Sequence, residues 1–414
     1  MPVYLIGTLD TKGEEVAFAR DILRSRGIST RVIDVGSLGL PRFAPDVSRE
    51  EVFQHAGTTA AEISLHKNRG LAVAGAARGV ANLLVELERA GEVQGVLGLG
   101  GSAGTVIGTA AMRGLPFGIP KVMVSTLASG QTRPYVGGSD ILMLYPVADL
   151  AGLNRLTRVA LTNAANAMAG MIQPGPADSL ATLDSDRPLV AATMFGVTTP
   201  CVDRARSRLE AEGMEVLVFH ATGVGGESME GLVRDGELSG VLDLTTTELA
   251  DELVGGILSA GPGRLEAAIH ARTPQVVSVG ALDMVNFGPL ATVPDRFAGR
   301  LFHVHNPSVT LMRTTAEENA MLGTWIARTL SKATAPMVVM IPARGVSAID
   351  AQGMPFHDPL ADRALFGAIE DGLTGHAFVQ IDLRDEHIND PSFADAAARH
   401  LIHLMALSPQ NEKR

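Results

Sequence analysis

One succession of elements occurs twice in this chain: a short apolar strand, a glycine-bearing turn, an amphipathic helix, a single glycine and a second apolar strand. The first copy reads as a strand over 3–6, the turn Gly7-Thr8-Leu9-Asp10, a helix over about 12–26, Gly27 and a strand over 30–35. Val16, Ala19 and Leu23 share one helical face, and Thr11 and Glu14 stand at capping-box spacing. The second copy reads as a strand over 189–194, the turn Phe195-Gly196-Val197-Thr198, a helix opened by Thr199-Pro200, Gly213 and a strand over 215–219. Its apolar stripe is Val202, Ala205 and Leu209.

The correspondence continues downstream. Residues 95–102 match 240–247 in pattern, each a strand, a loop and a helix start, and 119–125 parallels 273–279 as a further buried strand. About forty extra residues separate the second and third strands of the first copy. These alternations predict an α/β protein of two Rossmann-like parallel-sheet domains related by an internal duplication. The expected domains are 1–180 and 181–414, divided where Pro, Gly, Asp and Ser replace periodic apolar residues over 173–188. Past the repeat, strands are expected over 337–341 and 377–381, with a terminal helix ending near 405.

Composition narrows the function. With 46% hydrophobic residues against 19% charged, both domains can bury cores, and 45 glycines point to many tight turns. A net charge of −11 opposes extended contact with nucleic acid or an anionic membrane. Cys201 is the single cysteine, so no intramolecular disulfide forms, and residues 3–6 lack the flanks of a leader; a cytoplasmic protein is expected.

In such folds ligands bind at the carboxyl ends of the strands, so the loops there carry the candidates. Gly98-Leu99-Gly100-Gly101-Ser102-Ala103-Gly104-Thr105 lets backbone N–H groups converge before a helix and suits a phosphate, although it lacks the lysine of a P-loop and could serve only close packing. Thr8, Asp10, Thr11 and Lys12 add two hydroxyls, a carboxylate for Mg²⁺ or a ribose, and an ammonium; capping by Thr11 is the plainer alternative. Asp34 sits where many dinucleotide folds hold ribose, without the matching glycine fingerprint. In the second half, residues 220–226 form another Gly-rich turn that could cradle an anion, with His220 at its start. Thr245 and Glu248 have capping-box spacing. Asp283, His305 and Glu318 lie at further strand ends, and His303 and His305 would share a strand face as a metal pair, with no third ligand set by spacing. A polar loop over 342–362 carries Gly345, Ser347, Asp350, His357, Asp358 and Asp362.

Several strings together resemble a known family. They are Gly7-Thr8 with Asp10-Thr11-Lys12-Gly13, Gly100-Gly101-Ser102 with Gly104-Thr105, Ser125-Thr126 with Ala128-Ser129-Gly130, Phe219-His220-Ala221-Thr222-Gly223, residues 280–288, and His305-Asn306-Pro307. Across nearly its whole length the chain resembles the uncharacterised family that shares the ATP-binding N-terminal domain of the tomato mosaic virus resistance protein. The resemblance implies two Rossmann-like subdomains, a homodimer, ATP bound by the first subdomain, and a TIM-barrel-like domain that would here be a separate protein partner. The motif positions carried over as a ligand site are Thr8, Asp10, Thr11, Lys12, Gly100, Gly101, Ser102, Gly104 and Thr105.

The resulting expectation is a nucleotide-binding protein or metabolic enzyme of open reaction class, with ATP and Mg²⁺ as cofactors and a polar cleft between its domains. An ATP-independent hydrolase or C–C lyase, using His220, Asp283, His305 and Glu318 on a small acid or keto substrate with or without metal, is the rival. A non-catalytic ligand-sensing or protein-interaction module is the third reading.

Overall fold

The computed structural model describes residues 1–37, 39–65, 68–173 and 187–408. The chain divides into two compact units, Met1–Leu183 and Asp184–Arg414. Most of the stretch expected to divide the domains, residues 174–186, lies outside the described residues.

The first unit runs β1 (Val3–Gly7), α1 (Leu9–Ser25), β2 (Thr30–Asp34), α2 (Arg49–His55), α3 (Ala60–Leu65), α4 (Arg69–Arg89), β3 (Gly95–Gly100), α5 (Ser102–Arg113), β4 (Lys121–Ser125), α6 (Arg133–Val136), β5 (Leu142–Leu144) and α7 (Arg155–Ile172). Its strands pair in parallel in the order β2-β1-β3-β4-β5. Alternate residues feed opposite cores: Tyr4 and Ile6 pack with Val80 and Ile107 of α4 and α5, while Val3 and Leu5 pack with Val16 and Leu161 of α1 and α7. Both faces are covered, so the strands read as unbroken apolar runs.

Helix α1 begins earlier than its periodicity predicts. Leu9 N–H donates to the Asp34 carboxylate at 3.0 Å, so an acid from the second strand occupies the helix start. The Thr11–Glu14 box therefore does not form: Thr8 is the N-cap without a side-chain cap bond, Thr11 and Thr8 pair their hydroxyls at 2.7 Å, and Lys12 departs from helical dihedrals (φ −123°, ψ 18°). The exit matches expectation. Gly27 (φ +76°) donates to Arg24 O, and Ile28 to Leu23 O, the paired bonds of a left-handed C-terminal cap.

The second unit runs β6 (Leu189–Met194), α8 (Thr199–Ala211), β7 (Glu215–His220), α9 (Val224–Arg234), β8 (Gly240–Thr245), α10 (Glu248–Val254), α11 (Ala267–Ala271), β9 (Gln275–Gly280), β10 (Met284–Phe287), β11 (Phe302–Asn306), β12 (Val309–Arg313), α12 (Ala316–Leu330), β13 (Met337–Pro342), α13 (Pro359–Leu373), β14 (Val379–Arg384) and α14 (Pro391–Leu407). Its main sheet is also parallel, in the order β7-β6-β8-β9-β13-β14. Counted from each unit's own first strand, both sheets read 2-1-3-4-5, and the second adds a sixth strand. The helix exit repeats as well: Gly213 (φ +84°) donates to Glu210 O and Met214 to Leu209 O.

The units differ where the sequence carries extra length. Residues 35–94 cross from second to third strand in the first unit with α2, α3 and α4, whereas 221–239 make that crossing with α9 alone. Among the described residues α4 is the helix long and apolar enough to cross a membrane; here it buries Ala76, Val80 and Leu84 and packs against α2 and α5. The second unit inserts an antiparallel sheet, β10-β12-β11, between β9 and β13.

The two glycine exits make a paired prediction. A Cβ at Gly27 or Gly213 would meet no atom within 4 Å, so alanine there carries only left-handed backbone strain. Gly27→Ala and Gly213→Ala are each expected to cost about 1–2 kcal/mol, measured as a shift in denaturant midpoint without change in slope.

Candidate functional site

Strand β1 pairs with β2 on one side and β3 on the other. The chain therefore diverges at its end, and the loops after β1 and β3 part to leave a crevice. A cavity of about 660 Å³ lies there. Thr8, Asp10, Thr11 and Lys12 line one side, Gly100 through Gly104 another, with Arg69 of α4 and Tyr145, Val147 and Asp149 after β5 completing the wall.

The glycines of the second loop have separable reasons. A Cβ on Gly100 would stand 2.6 Å from Gly104 Cα, and one on Gly104 would stand 3.1 Å from Leu99 O, so these two let α5 seat on β3. At Gly101 the nearest atom would be Thr126 Oγ at 3.8 Å, and packing leaves room for a side chain. Gly101 is also the N-cap of α5 and offers no capping side chain. The helix's first bond runs from Thr105 N–H to Gly101 O at 2.8 Å, leaving the N–H groups of Ser102, Ala103 and Gly104 without a protein acceptor among the described residues.

Thr105 is fully buried behind the loop, its hydroxyl shared with Ser125 Oγ at 2.6 Å and donated to Gly101 O at 2.8 Å, and it does not line the cavity. As the fourth residue of α5 it faces β4. Lys12 Nζ donates to Leu150 O, and Asp10 accepts from Gly39 N–H at 3.0 Å while still lining the cavity. Asp34 is turned to the fold: its carboxylate accepts from Leu9 and Gly36 N–H groups and pairs with Arg49 at 2.7 Å, which takes it away from any ribose.

Three lining residues escape a motif search. Arg69 opens α4 just after its Asn68 cap, which accepts from Gly70 and Leu71 N–H groups, and among the described residues it has no ion pair. Tyr145 and Val147 stand on the rim 43% and 71% exposed. Val147 has φ +66°, a left-handed conformation that a β-branched side chain strains to hold. The Asn68 cap was a readable signal for the start of α4; the meeting of that start with a loop thirty residues downstream is a tertiary fact.

In the second unit the Gly-rich turn does cradle an anion, and the anion belongs to the chain. Glu248 Oε1 accepts from Gly223 N–H at 2.6 Å and Gly226 N–H at 3.0 Å, while Oε2 accepts from Arg264 Nε at 2.8 Å. The Thr245–Glu248 capping box therefore does not form; Thr245 is buried, bonded to Thr198 Oγ at 2.8 Å and Thr193 O at 3.1 Å. Arg264, fully buried, also meets Asp243 and Glu230.

The four residues expected to act as catalysts each have separate surroundings. His220 is exposed at the end of β7, edge-on to Phe195 at 5.5 Å. Asp283 is fully buried, accepts from Ser347 Oγ at 2.8 Å and is pushed up to about 6 by burial. Glu318 closes a capping box with Thr315 and takes Arg300 in a bidentate pair at 2.9 and 2.7 Å. His305 is exposed on β11. Among the described residues no hydrogen bond or ion pair joins any two of them, and no group of three His, Cys, Asp or Glu could hold a metal around His303 and His305. The polar loop instead surrounds Arg313, which donates to Asp350 at 3.3 Å and Asp362 at 2.6 Å.

Comparison with known proteins follows the division of the chain. Residues 1–176 match the family described as Uncharacterised protein family (UPF0261) N-terminal domain, and 187–405 match its C-terminal domain. A UPF0261 protein of Clostridium tetani is 49% identical over 97% of this chain and 98% of its own length. One from Rhizobium meliloti is 48% identical over 95% and 97%. The ToMV resistance protein Tm-1(GCR237) of Solanum lycopersicum is 41% identical over 97% of this chain, which spans 55% of that protein.

Two predictions arise from these contacts. Gly101→Ala should change stability by less than about 1 kcal/mol, because the Cβ has room and alanine is only a somewhat poorer cap, whereas Gly100→Ala should cost several-fold more; thermal unfolding of both variants decides. Burial first, then neighbouring Asp350, raises Asp362 to about 7. Its folded pKa exceeds the unfolded value, so its contribution is fully present below about pH 4 and is lost as pH rises through 7. Asp362→Asn should therefore flatten the fall in stability between pH 5 and 8, measured by urea denaturation at each pH.

Proposed function

From the chain's membership of the UPF0261 family, to which it belongs through both halves, we propose that the first unit binds a phosphorylated small molecule, with ATP the first candidate, in the cavity at the ends of β1 and β3. The observation that carries this is an open cavity of about 660 Å³, a volume within the range of small-molecule sites, into which a glycine loop leads and beside which three helix-start N–H groups have no protein acceptor among the described residues. Such groups favour negative charge through their dipole and their unmade hydrogen bonds.

The roles divide by chemistry. Gly101 lets an anion approach the backbone, the N–H groups of Ser102 through Gly104 receive its oxygens, and Lys12 supplies a compact positive charge. Oxygen donors suited to Mg²⁺ line the same cavity in the Asp10 carboxylate and the Thr8, Thr11 and Ser102 hydroxyls; the metal would neutralise phosphate charge. Ribose and base would be left to the wider rim of Tyr145 and Val147.

Isothermal calorimetry with ATP and ADP, with and without Mg²⁺, tests the proposal. Saturable binding at one site per chain is expected. Lys12→Ala should weaken it about tenfold or more, the order of one charge-assisted contact. Absence of saturable heat up to millimolar nucleotide would overturn it.

A further inference from the structure

The second unit fills the corresponding place with one of its own side chains. Setting the third strands together, Gly95–Gly100 against Gly240–Thr245, places Gly101, Ser102 and Ala103 opposite Thr246, Thr247 and Glu248. Glu248 reaches from the first turn of α10 to the turn after that unit's second strand and the start of α9, where the N–H groups of Gly223 and Gly226, with the buried Arg264 guanidinium, hold its carboxylate. A second acid on the same guanidinium, Asp243, corresponds to Gly98. At both positions the first unit has lost the anion.

What it has there is open space. Ala103 ends in a methyl that lines the cavity, the loop after β2 contributes Val35 and Ser37 to the same wall, and Arg69 adds a guanidinium. Arg69 has no carboxylate within ion-pair distance among the described residues, whereas Arg264 has three. A buried acid with its buried arginine in one unit thus contrasts, in the other, with open space and an exposed arginine from a different crossover.

Resting on the binding proposed above, we infer that the subsite bounded by Ala103, Ser37 and Arg69 receives the outermost phosphate of the ligand, in the place that the second unit gives to the Glu248 carboxylate. Arg69 is then the specificity-determining residue for a polyphosphate over a monophosphate. Its planar fork can meet two oxygens of a terminal phosphate at once, which a single ester phosphate held at the glycine loop would not present to it.

The test uses the full chain, calorimetry, and ATP, AMP and inorganic phosphate as probes. Arg69→Ala should weaken ATP at least tenfold and leave AMP within about threefold, so the preference for ATP collapses. Ala103→Glu should place an internal carboxylate in the subsite and weaken ATP and inorganic phosphate at least thirtyfold, while the neutral Ala103→Gln costs several-fold less. Where Ala103→Glu unfolds, as circular dichroism would report, the ATP-to-AMP ratio of Arg69→Ala decides alone. If the unaltered protein binds none of the three probes, the proposed function fails and this inference with it. If it binds ATP but Arg69→Ala keeps the ATP preference, or Gln and Glu at 103 weaken ATP equally, the phosphate-binding site stands and the inference is overturned.

Discussion

The parallel pairing of β1 with neighbours on both sides is the constraint from which the cavity follows. Parallel strands joined by right-handed crossovers send every following loop to the same edge, and the chain can turn to only one side of β1 at a time. The loop after β1 and the loop after β3 are consequently pulled apart, and the gap between them is bounded by helix starts. The lining of Thr8, Lys12, Gly101 and Ser102 is the local consequence of that topology. No additional device is required to make the site concave.

The duplicated unit shares the constraint and resolves it differently. The same strand order generates the same divergence between β6 and β8, and there the chain closes the gap with its own polar groups. Thr198 and Thr245 join hydroxyls across it, Ala348 N–H and the Asn389 amide both donate to Val197 O, and Glu248 satisfies the N–H groups of the glycine turn. Removing acids from water is expensive unless each oxygen is hydrogen-bonded and an opposite charge lies against it, which is why Arg264 has to be present with Glu248, Asp243 and Glu230. The first unit has no such buried cluster at this place, and the N–H groups that start α5 have no protein acceptor among the described residues.

Local patterns carried the architecture because they are enforced locally. Gly27 and Gly213 mark helix exits in both halves, since the left-handed cap favours a residue without a Cβ, and the apolar runs of β1, β3, β6 and β8 reflect burial on both faces. The pattern misled where a distant partner competes with a neighbour. Thr11 with Glu14 and Thr245 with Glu248 have capping spacing, yet Asp34 takes the first helix start and Arg264 takes Glu248. Thr105 belongs to the glycine string but its rotation on α5 turns it to Ser125. Asp283, His305 and Glu318 share an ionisable side chain and a strand-end position in the sequence, and that likeness holds no information about which loop each end faces. Arg69 and Val147 come from segments far from either glycine loop in sequence, so only the packing of α4 and the course of the chain after β5 bring them in.

Charge bears on the same site in a way the whole-chain value conceals. A net −11 would repel a nucleotide if the surface acted as one body. Salt at physiological strength limits such action to about 8 Å, so the groups that a bound anion feels are those on the cavity wall. There Lys12 and Arg69 stand against Asp10 and Asp149, a balance of formal charges, and Asp10 is partly spent on the Gly39 N–H. The remaining bias comes from the backbone: the N-terminal turn of α5 presents positive dipole ends that no side chain caps. An acidic protein can hold an anion where its main chain, more than its side chains, provides the field.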